Sequence, residues 1–204
     1  MTAPARPPRP IRPSSAEIDE AVLDATAALV ARRGARETSV QAVADATGFS
    51  KTGLLRRFPS KDVLIDASLE QCVRLTEGVH RLVGTHGTDR DQDSASIAGL
   101  VDLALSHPGW AQVMLASIPP IRDERLRPGL AQIGDLVSDM FRLDQYTALV
   151  RRARVTGALG VLVTLALTYE AEATVETARP VIIDVSWSAL GYGSAEGEPP
   201  RSRA

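Results

Sequence analysis

The stretch "VADATGFSKTGLLRRFPSKD", residues 43–62, decides how the rest of the chain is read. It holds two glycines, one proline and four basic residues, yet its apolar residues keep a helical rhythm. Gly48 stops one short helix, Ser50 stands where the cap of a second belongs, and Pro59 ends that second helix in turn. Two short helices joined at a glycine form a helix-turn-helix, whose second helix enters a DNA major groove. Ala44 is small where the helices must approach, and Gly48 can take the positive φ that the turn requires. Phe49 and Leu54 are expected to lock the second helix into the core. Ser50, Lys51 and Thr52 lie at its N-terminus, where backbone N–H groups, a hydroxyl and an ammonium can face phosphate. Gly53 costs about 1 kcal/mol against alanine inside a helix, and close approach to a partner surface is one reason to accept that cost.

Upstream, Ser14 and Glu17 are spaced as a capping box, and Ile18, Val22, Ala25 and Leu29 recur at helical intervals. A first helix is predicted over about 16–33, closed by Gly34. Thr38 and Gln41 read as a second capping box opening the helix of Val40, Val43 and Ala44. Ser60 caps a fourth helix carrying Val63, Leu64, Ala67 and Leu75. Downstream, "GTHGTDRDQDS" reads as a polar loop, and "SASIAGLVDLALSH" as a helix ended by Pro108 and Gly109. "WAQVMLAS" is a short helix, and "IPPIRDERLRPG" an irregular connection. Further helices are predicted over about 126–143, 145–170 and 177–190. Neither strand alternation nor an internal repeat is visible, so the chain is predicted to be all-α, with about nine helices. Its expected divisions are a disordered Pro/Arg tail at 1–13, a helix-turn-helix domain at 14–61, a helical ligand-binding and dimerisation domain at 62–192, and a disordered tail at 193–204.

The chain has 204 residues, 44% apolar and 24% charged, which suits a globular protein with a real core. Aromatics make up only 4%, so that core must be built from Ala, Val, Leu and Ile. A single cysteine, Cys72, cannot form an intrachain disulfide and reads as a buried thiol. The N-terminal residues contain no apolar stretch resembling a signal peptide. The longest apolar run, residues 155–167, falls short of the roughly 20 residues of a membrane span. A cytoplasmic location without membrane attachment is expected. The net charge of −2 conceals an asymmetry: through residue 61 there are ten Lys or Arg against six Asp or Glu, and the remainder is net acidic. A basic end on an acidic body suits a protein of which one end meets a polyanion.

"TSVQAVADATGFSKTGLLRRFPSKDVL", residues 38–64, resembles the DNA-binding domain of the TetR/AcrR family of bacterial transcriptional regulators. The likeness reaches back over the first helix to about residue 16. Its marks are a Thr or Ser opening the second helix, Ala-x-x-x-Gly followed by an apolar residue and Ser, and Phe-x-x-Lys opening the fourth helix. The resemblance implies a homodimer with paired reading heads and a body that houses a small-molecule pocket. One departure stands out: where family members commonly carry an aromatic residue and a histidine before the phenylalanine, this chain has Arg56 and Arg57. Arginine can contact phosphate by charge or guanine bidentately, so operator preference and salt sensitivity need not follow the family habit.

On this reading the DNA-contacting residues are Ser39, Gln41, Ser50, Lys51, Thr52, Gly53, Arg56, Arg57 and Lys61, with a solvated helix face as the plain alternative for the basic ones. The apolar stripe Val155, Ala158, Leu159, Leu162 and Leu165 serves as intrachain core, dimer interface or both, since a helix apolar nearly all round needs cover on several sides. With Val181, Ile182, Val185 and Leu190 it would build a four-helix bundle between protomers. Two heads reading half-sites roughly 34 Å or more apart imply a near-palindromic operator in double-stranded DNA. His107, Trp110, Met114, Phe141 and Tyr146 are candidates to line the effector cavity, with core packing as the alternative for each. His80, His86 and His107 show no metal-ligand spacing with one another or with Cys72, and neither metal nor cofactor is expected. The chain has no glycine-rich phosphate loop, no H-E-x-x-H and no G-x-S-x-G, so no enzyme is expected. The expected function is a dimeric, sequence-specific repressor released from its operator by a small molecule. The rival is a helical dimer that has lost DNA binding and serves as a ligand sink or protein partner.

Overall fold

Four serines start the first four helices. In a computed structural model that describes residues 14–84, 87–117 and 125–193, Ser14, Ser39, Ser50 and Ser60 each accept a hydrogen bond from the backbone N–H three residues on. They open α1 (Ser15–Glu37), α2 (Val40–Thr47), α3 (Lys51–Arg57) and α4 (Lys61–Val83). Ser14 and Glu17 form the full reciprocal capping box that their spacing predicts. Gly34 breaks α1 at φ 81°, as expected, although helical residues resume to Glu37. The cap of α2 is Ser39 rather than Thr38. Thr38 is buried, and its hydroxyl donates to the Gly34 carbonyl at 2.9 Å, closing the preceding helix instead.

Five more helices follow: α5 (Asp89–Ser106), α6 (Pro108–Ser117), α7 (Arg127–Met140), α8 (Leu149–Tyr169) and α9 (Val175–Leu190). Among the described residues the fold is nine helices with no strand. The predicted tail at 1–13, the predicted tail at 193–204 beyond Gly193, His86, and most of the irregular connection after Ser117 lie outside the described residues. The polar stretch before Ser94, read as loop, is in large part the first turns of α5. Thr88 and Asp91 cap it reciprocally, and Gln92, Asp93 and Ser96 are buried. Pro108 ends nothing by itself: it stands at the first position of α6, where a missing N–H costs no bond.

Two main cores result. One, from Val22 and Leu29 of α1, Val43 and Ala44 of α2, Leu54 of α3 with Phe58 at its C-terminal cap, and Leu64 of α4, holds the N-terminal helices together. The other gathers α5 to α9 around Leu100, Trp110, Ile133, Phe141, Leu162 and Ile182. The Trp110 indole N–H donates to Thr76 Oγ1 at 2.9 Å, so the largest buried side chain leaves no polar atom unpaired. A smaller third cluster joins the two, with Val30 and Ala35 of α1, Ile65 and Leu69 of α4, and Leu126 and Leu130 at the start of α7.

Helix α1 also meets the N-terminus of α6 directly. The Asp24 carboxylate accepts from the Gly109 and Trp110 amides at 2.9 and 3.3 Å. A Cβ at Gly109 would lie 2.0 Å from the Asp24 carbonyl oxygen, so only glycine fits. Burial pushes the Asp24 carboxyl above its ordinary range, opposed by the Gly109 amide and by His107. At the far end of the body Asp93, 1% exposed, is held by Arg151 Nη1 and Nη2 at 2.8 and 2.6 Å and by the Tyr192 hydroxyl at 2.9 Å. Burial raises the Tyr192 hydroxyl pKa and hydrogen bonding to Asp93 raises that of the Arg151 guanidinium, so both stay protonated as donors.

Candidate nucleic-acid interface and body cavity

Gly48 turns the chain between α2 and α3 at φ 73°, ψ 9°. Ser50 then restarts the helix, its Oγ accepting from Gly53 N at 3.0 Å. A Cβ on Gly53 would lie 3.0 Å from that same Oγ. The glycine at this position thus leaves room for the cap, a reason internal to the protein that the sequence reading did not supply. Leu54, 1% exposed, anchors α3. The second anchor is Phe58, 9% exposed, rather than Phe49, which sits in the turn and remains 37% exposed. Phe58 falls four residues after Leu54 and so shares its face, whereas Phe49 precedes the helix.

With Leu54 inward, Lys51, Thr52, Leu55, Arg56 and Arg57 face solvent. Among the described residues Lys51, Thr52 and Arg56 have no side-chain hydrogen bond or ion pair within the protein. Arg57 is engaged: its Nη1 donates to the Ser15 carbonyl and hydroxyl at 3.3 and 2.9 Å and to the Asp19 carboxylate. Lys61 is half-buried and its Nζ donates to the Arg36 carbonyl at 2.8 Å, closing the end of α1. Ser39 is exposed beside α2 with its Oγ in the cap, and Gln41 Nε2 donates to Asp45 Oδ1 at 2.7 Å. The nine residues fall on α2, α3, their caps and the first position of α4, and on α3 only Lys51, Thr52 and Arg56 have side chains without internal partners.

In the body, a cavity of about 560 Å³ opens between α6, α7 and α8. Met114 and Ser117 supply one side, Leu130, Ala131, Ile133, Gly134 and Val137 a second, and Thr156, Leu159 and Val163 a third. Arg127 reaches it from the first turn of α7. Of the five side chains expected around such a cavity, Met114 is there. Trp110 and Phe141 are buried in the core, His107 borders a separate polar crevice between α1 and α6, and Tyr146 is 85% exposed. All the other lining residues were missed: Ala131, Gly134 and Thr156 are small, and Leu130, Ile133, Val137 and Val163 read as ordinary core positions.

Of the residues expected between protomers, Val155, Ala158, Leu162, Ile182 and Leu190 are buried within the chain itself. Leu159 lines the cavity and Leu165 is half-buried. Val181 and Val185, 55% and 41% exposed, present apolar surface on α9. Among the described residues no helix is long and apolar enough to cross a membrane.

Residues 22–68 match the model of the bacterial regulatory proteins, tetR family. Among solved structures, that of a TetR-like transcriptional regulator from Rhodococcus sp. RHA1 is 23% identical, with a TM-score of 0.50 over 88% of this chain and 99% of that one. The fatty acid degradation regulator FadR from Bacillus halodurans is 13% identical with a TM-score of 0.55, over 84% of this chain and 97% of that one. FadR from Bacillus subtilis, solved in complex with stearoyl-CoA, is 13% identical with a TM-score of 0.54, over 87% and 98%. At these identities the likeness is one of fold. No curated protein matches the chain.

Proposed function

We propose, from the match of residues 22–68 to the tetR family of bacterial regulatory proteins, that the chain is a homodimeric, sequence-specific DNA-binding repressor that a small molecule releases from its operator. The observation that carries the proposal is the outward face of α3: Lys51, Thr52 and Arg56 stand exposed and without internal partners on a helix locked by Leu54. In this reading they meet phosphate and base edges, while Ser39, Gln41, Ser50 and Lys61 approach the backbone beside them and Gly53 keeps the helix N-terminus open. Arg57 orients α3 on α1 and lends its charge from there. Residues 14–61 form the reading head and 62–192 the sensing and dimerising body, in the cytoplasm.

The cavity between α6, α7 and α8 is the effector site of this proposal. Its mostly apolar walls, with Thr156, Ser117 and Arg127 at their edge, suit an apolar or amphipathic molecule. Two protomers join across the outer faces of α8 and α9, where Val181, Val185 and Leu165 remain to be covered. The effector weakens operator binding by shifting the population of head arrangements, and by reciprocity the operator weakens effector binding by the same factor.

Fluorescence anisotropy against DNA from upstream of the gene, run across a salt series, tests the head. Tight binding that falls steeply with salt is expected, and Lys51→Ala and Arg56→Ala should each flatten the slope by up to about one unit. A weak, salt-independent response to that DNA and to a genomic fragment pool would leave the non-DNA-binding reading in its place. Stearoyl-CoA, the ligand of the Bacillus subtilis FadR structure, is a first probe for the cavity.

A further inference from the structure

Helix α7 has two faces. One supplies Leu130, Ala131, Ile133, Gly134 and Val137 to the cavity. The other lies along α4, where Gln132 Nε2 donates to Glu77 Oε1 at 3.2 Å and a Cβ added at Gly129 would lie 3.6 Å from the Leu69 Cβ. Just ahead of α7, Arg125 reaches the first turns of α4. Its Nε and Nη2 donate to Asp66 Oδ1 at 3.2 and 2.9 Å, and Nη2 also to Asp66 Oδ2 at 3.1 Å. Nη1 donates to the Asp62 carboxylate, and Nη2 to the Asp62 carbonyl at 3.1 Å. Behind this grip Leu126 is buried with Val30 and Ala35 of α1 and Ile65 and Leu69 of α4. Leu130 packs on that cluster and lines the cavity as well.

All three charged groups are partly exposed, Arg125 at 34% and the two aspartates at 64% and 56%, so the bridge adds little to stability. Its value is geometric. A planar guanidinium holding two carboxylates one helical turn apart cannot slide along α4 without losing its bonds. Asp62 lies five residues beyond the last residue of α3.

We propose that Arg125 is a positioning residue for regulation: its bridge to Asp62 and Asp66, backed by Leu126 and Leu130, carries occupancy of the cavity to the first turn of α4 and so to the recognition helix. An occupant that displaces Leu130 or shifts α7 takes Arg125 with it, and the start of α4 follows. This deepens the regulator reading and rests on it for its purpose, but its test needs neither operator nor effector.

Gly134 lines the cavity, and a Cβ there meets no heavy atom within 4 Å, so Gly134→Phe supplies a built-in occupant. Amide hydrogen exchange of the full chain is compared in four proteins: the parent, Gly134→Phe, Arg125→Gln and the double variant. With Arg125 present, the filler is expected to change protection at residues 51–66 by about tenfold; with Arg125→Gln the change falls below about threefold. Arg125→Lys, which keeps the charge but not the fork, should behave as Arg125→Gln does. Asp66→Asn replaces Arg125→Gln if that variant does not fold, and Ala131→Trp serves as a second filler. An equal change with and without the bridge overturns the proposal, as does the absence of change at 51–66 with both fillers. Salt-dependent DNA affinity of the same parent sample judges the regulator reading separately: exchange coupling without DNA binding removes that reading and leaves the mechanical link standing.

Discussion

The reading head and the body both fix helices at defined angles, by different means. In the head the helix starts are set locally: four serines each accept from the backbone N–H three residues on, one apolar cluster completes the packing, and Arg57 and Lys61 tie the later helices to α1 from the exposed side. In the body the polar contacts cross the fold. Asp93 of α5 is gripped by Arg151 of α8 and by Tyr192 beyond α9, while Gln92 and Ser96 donate to the Met140 carbonyl at the end of α7. The difference teaches where each part is vulnerable. A structure closed by local bonds leaves its outer cations available and loses stability in small steps. One closed by buried long-range ion pairs depends on a few residues.

The largest break should therefore come in the body. Asp93→Ala leaves the Arg151 guanidinium facing a buried site without its partner and is expected to cost about 4 kcal/mol in urea unfolding. Asp93→Asn, which retains an acceptor for Tyr192, should cost less. If both are neutral, the distinction between the two regions falls.

Within the head, Arg56 and Arg57 sharpen the comparison because they are adjacent in sequence and differ in position. Arg56→Ala should weaken DNA binding by about tenfold and flatten its salt dependence. Arg57→Ala removes a side chain already bound to Ser15 and Asp19 and should leave the slope closer to that of the parent. A larger loss from Arg57→Ala would assign the phosphate contact to the wrong arginine.

The capping serines carry the next expectation. Ser50→Ala removes the acceptor for the Gly53 amide and should lower stability by about 1 kcal/mol, with α3 fraying at its N-terminus in hydrogen exchange.

The smallest effect is a slope. Because burial raises the Asp24 carboxyl, the native state keeps that proton at a pH where the unfolded chain has released it. Asp24 thus adds stability at acid pH that is lost as pH rises through its raised folded pKa. Denaturation of Asp24→Asn from the ordinary carboxylate range upward should lack this decline. An unchanged slope would remove Asp24 as the source of the decline.

The same division explains what could be read from the chain. Ser14, Gly34, Gly48, Ser50, Leu54 and Ser60 announce themselves because their chemistry acts within four residues. The errors there are small exchanges between neighbours of like kind: Ser39 rather than Thr38 as the cap, Phe58 rather than Phe49 as the anchor. The distinction between Arg56 and Arg57 was invisible, since it depends on where Ser15 and Asp19 arrive in space. In the body, "GTHGTDRDQDS" looked like loop because the partners that allow Gln92, Asp93 and Ser96 to be buried lie 44 to 99 residues away. Of the aromatics expected around the cavity, Trp110 and Phe141 fill the core and Tyr146 faces solvent, and the cavity lies where α7 carries Ala131 and Gly134, too small to close the gap. Small residues on a helix read identically whether another helix or a ligand faces them.

The contact between Gly109 and the Asp24 carbonyl has a mechanical consequence. Helix α1 is a beam held along its length by apolar packing on α2 and α4, and at Asp24 it bears on the start of α6 with no side chain between. Ser15 and Arg33 lie nine residues to either side, about 14 Å away along the helix, so a tilt of about 5° moves each end by about 1 Å in opposite directions. The Ser15 end takes the end of α3 with it through Arg57, and the other end presses on Ile65 and Leu69. Any side chain at position 109 would lift the beam from its bearing.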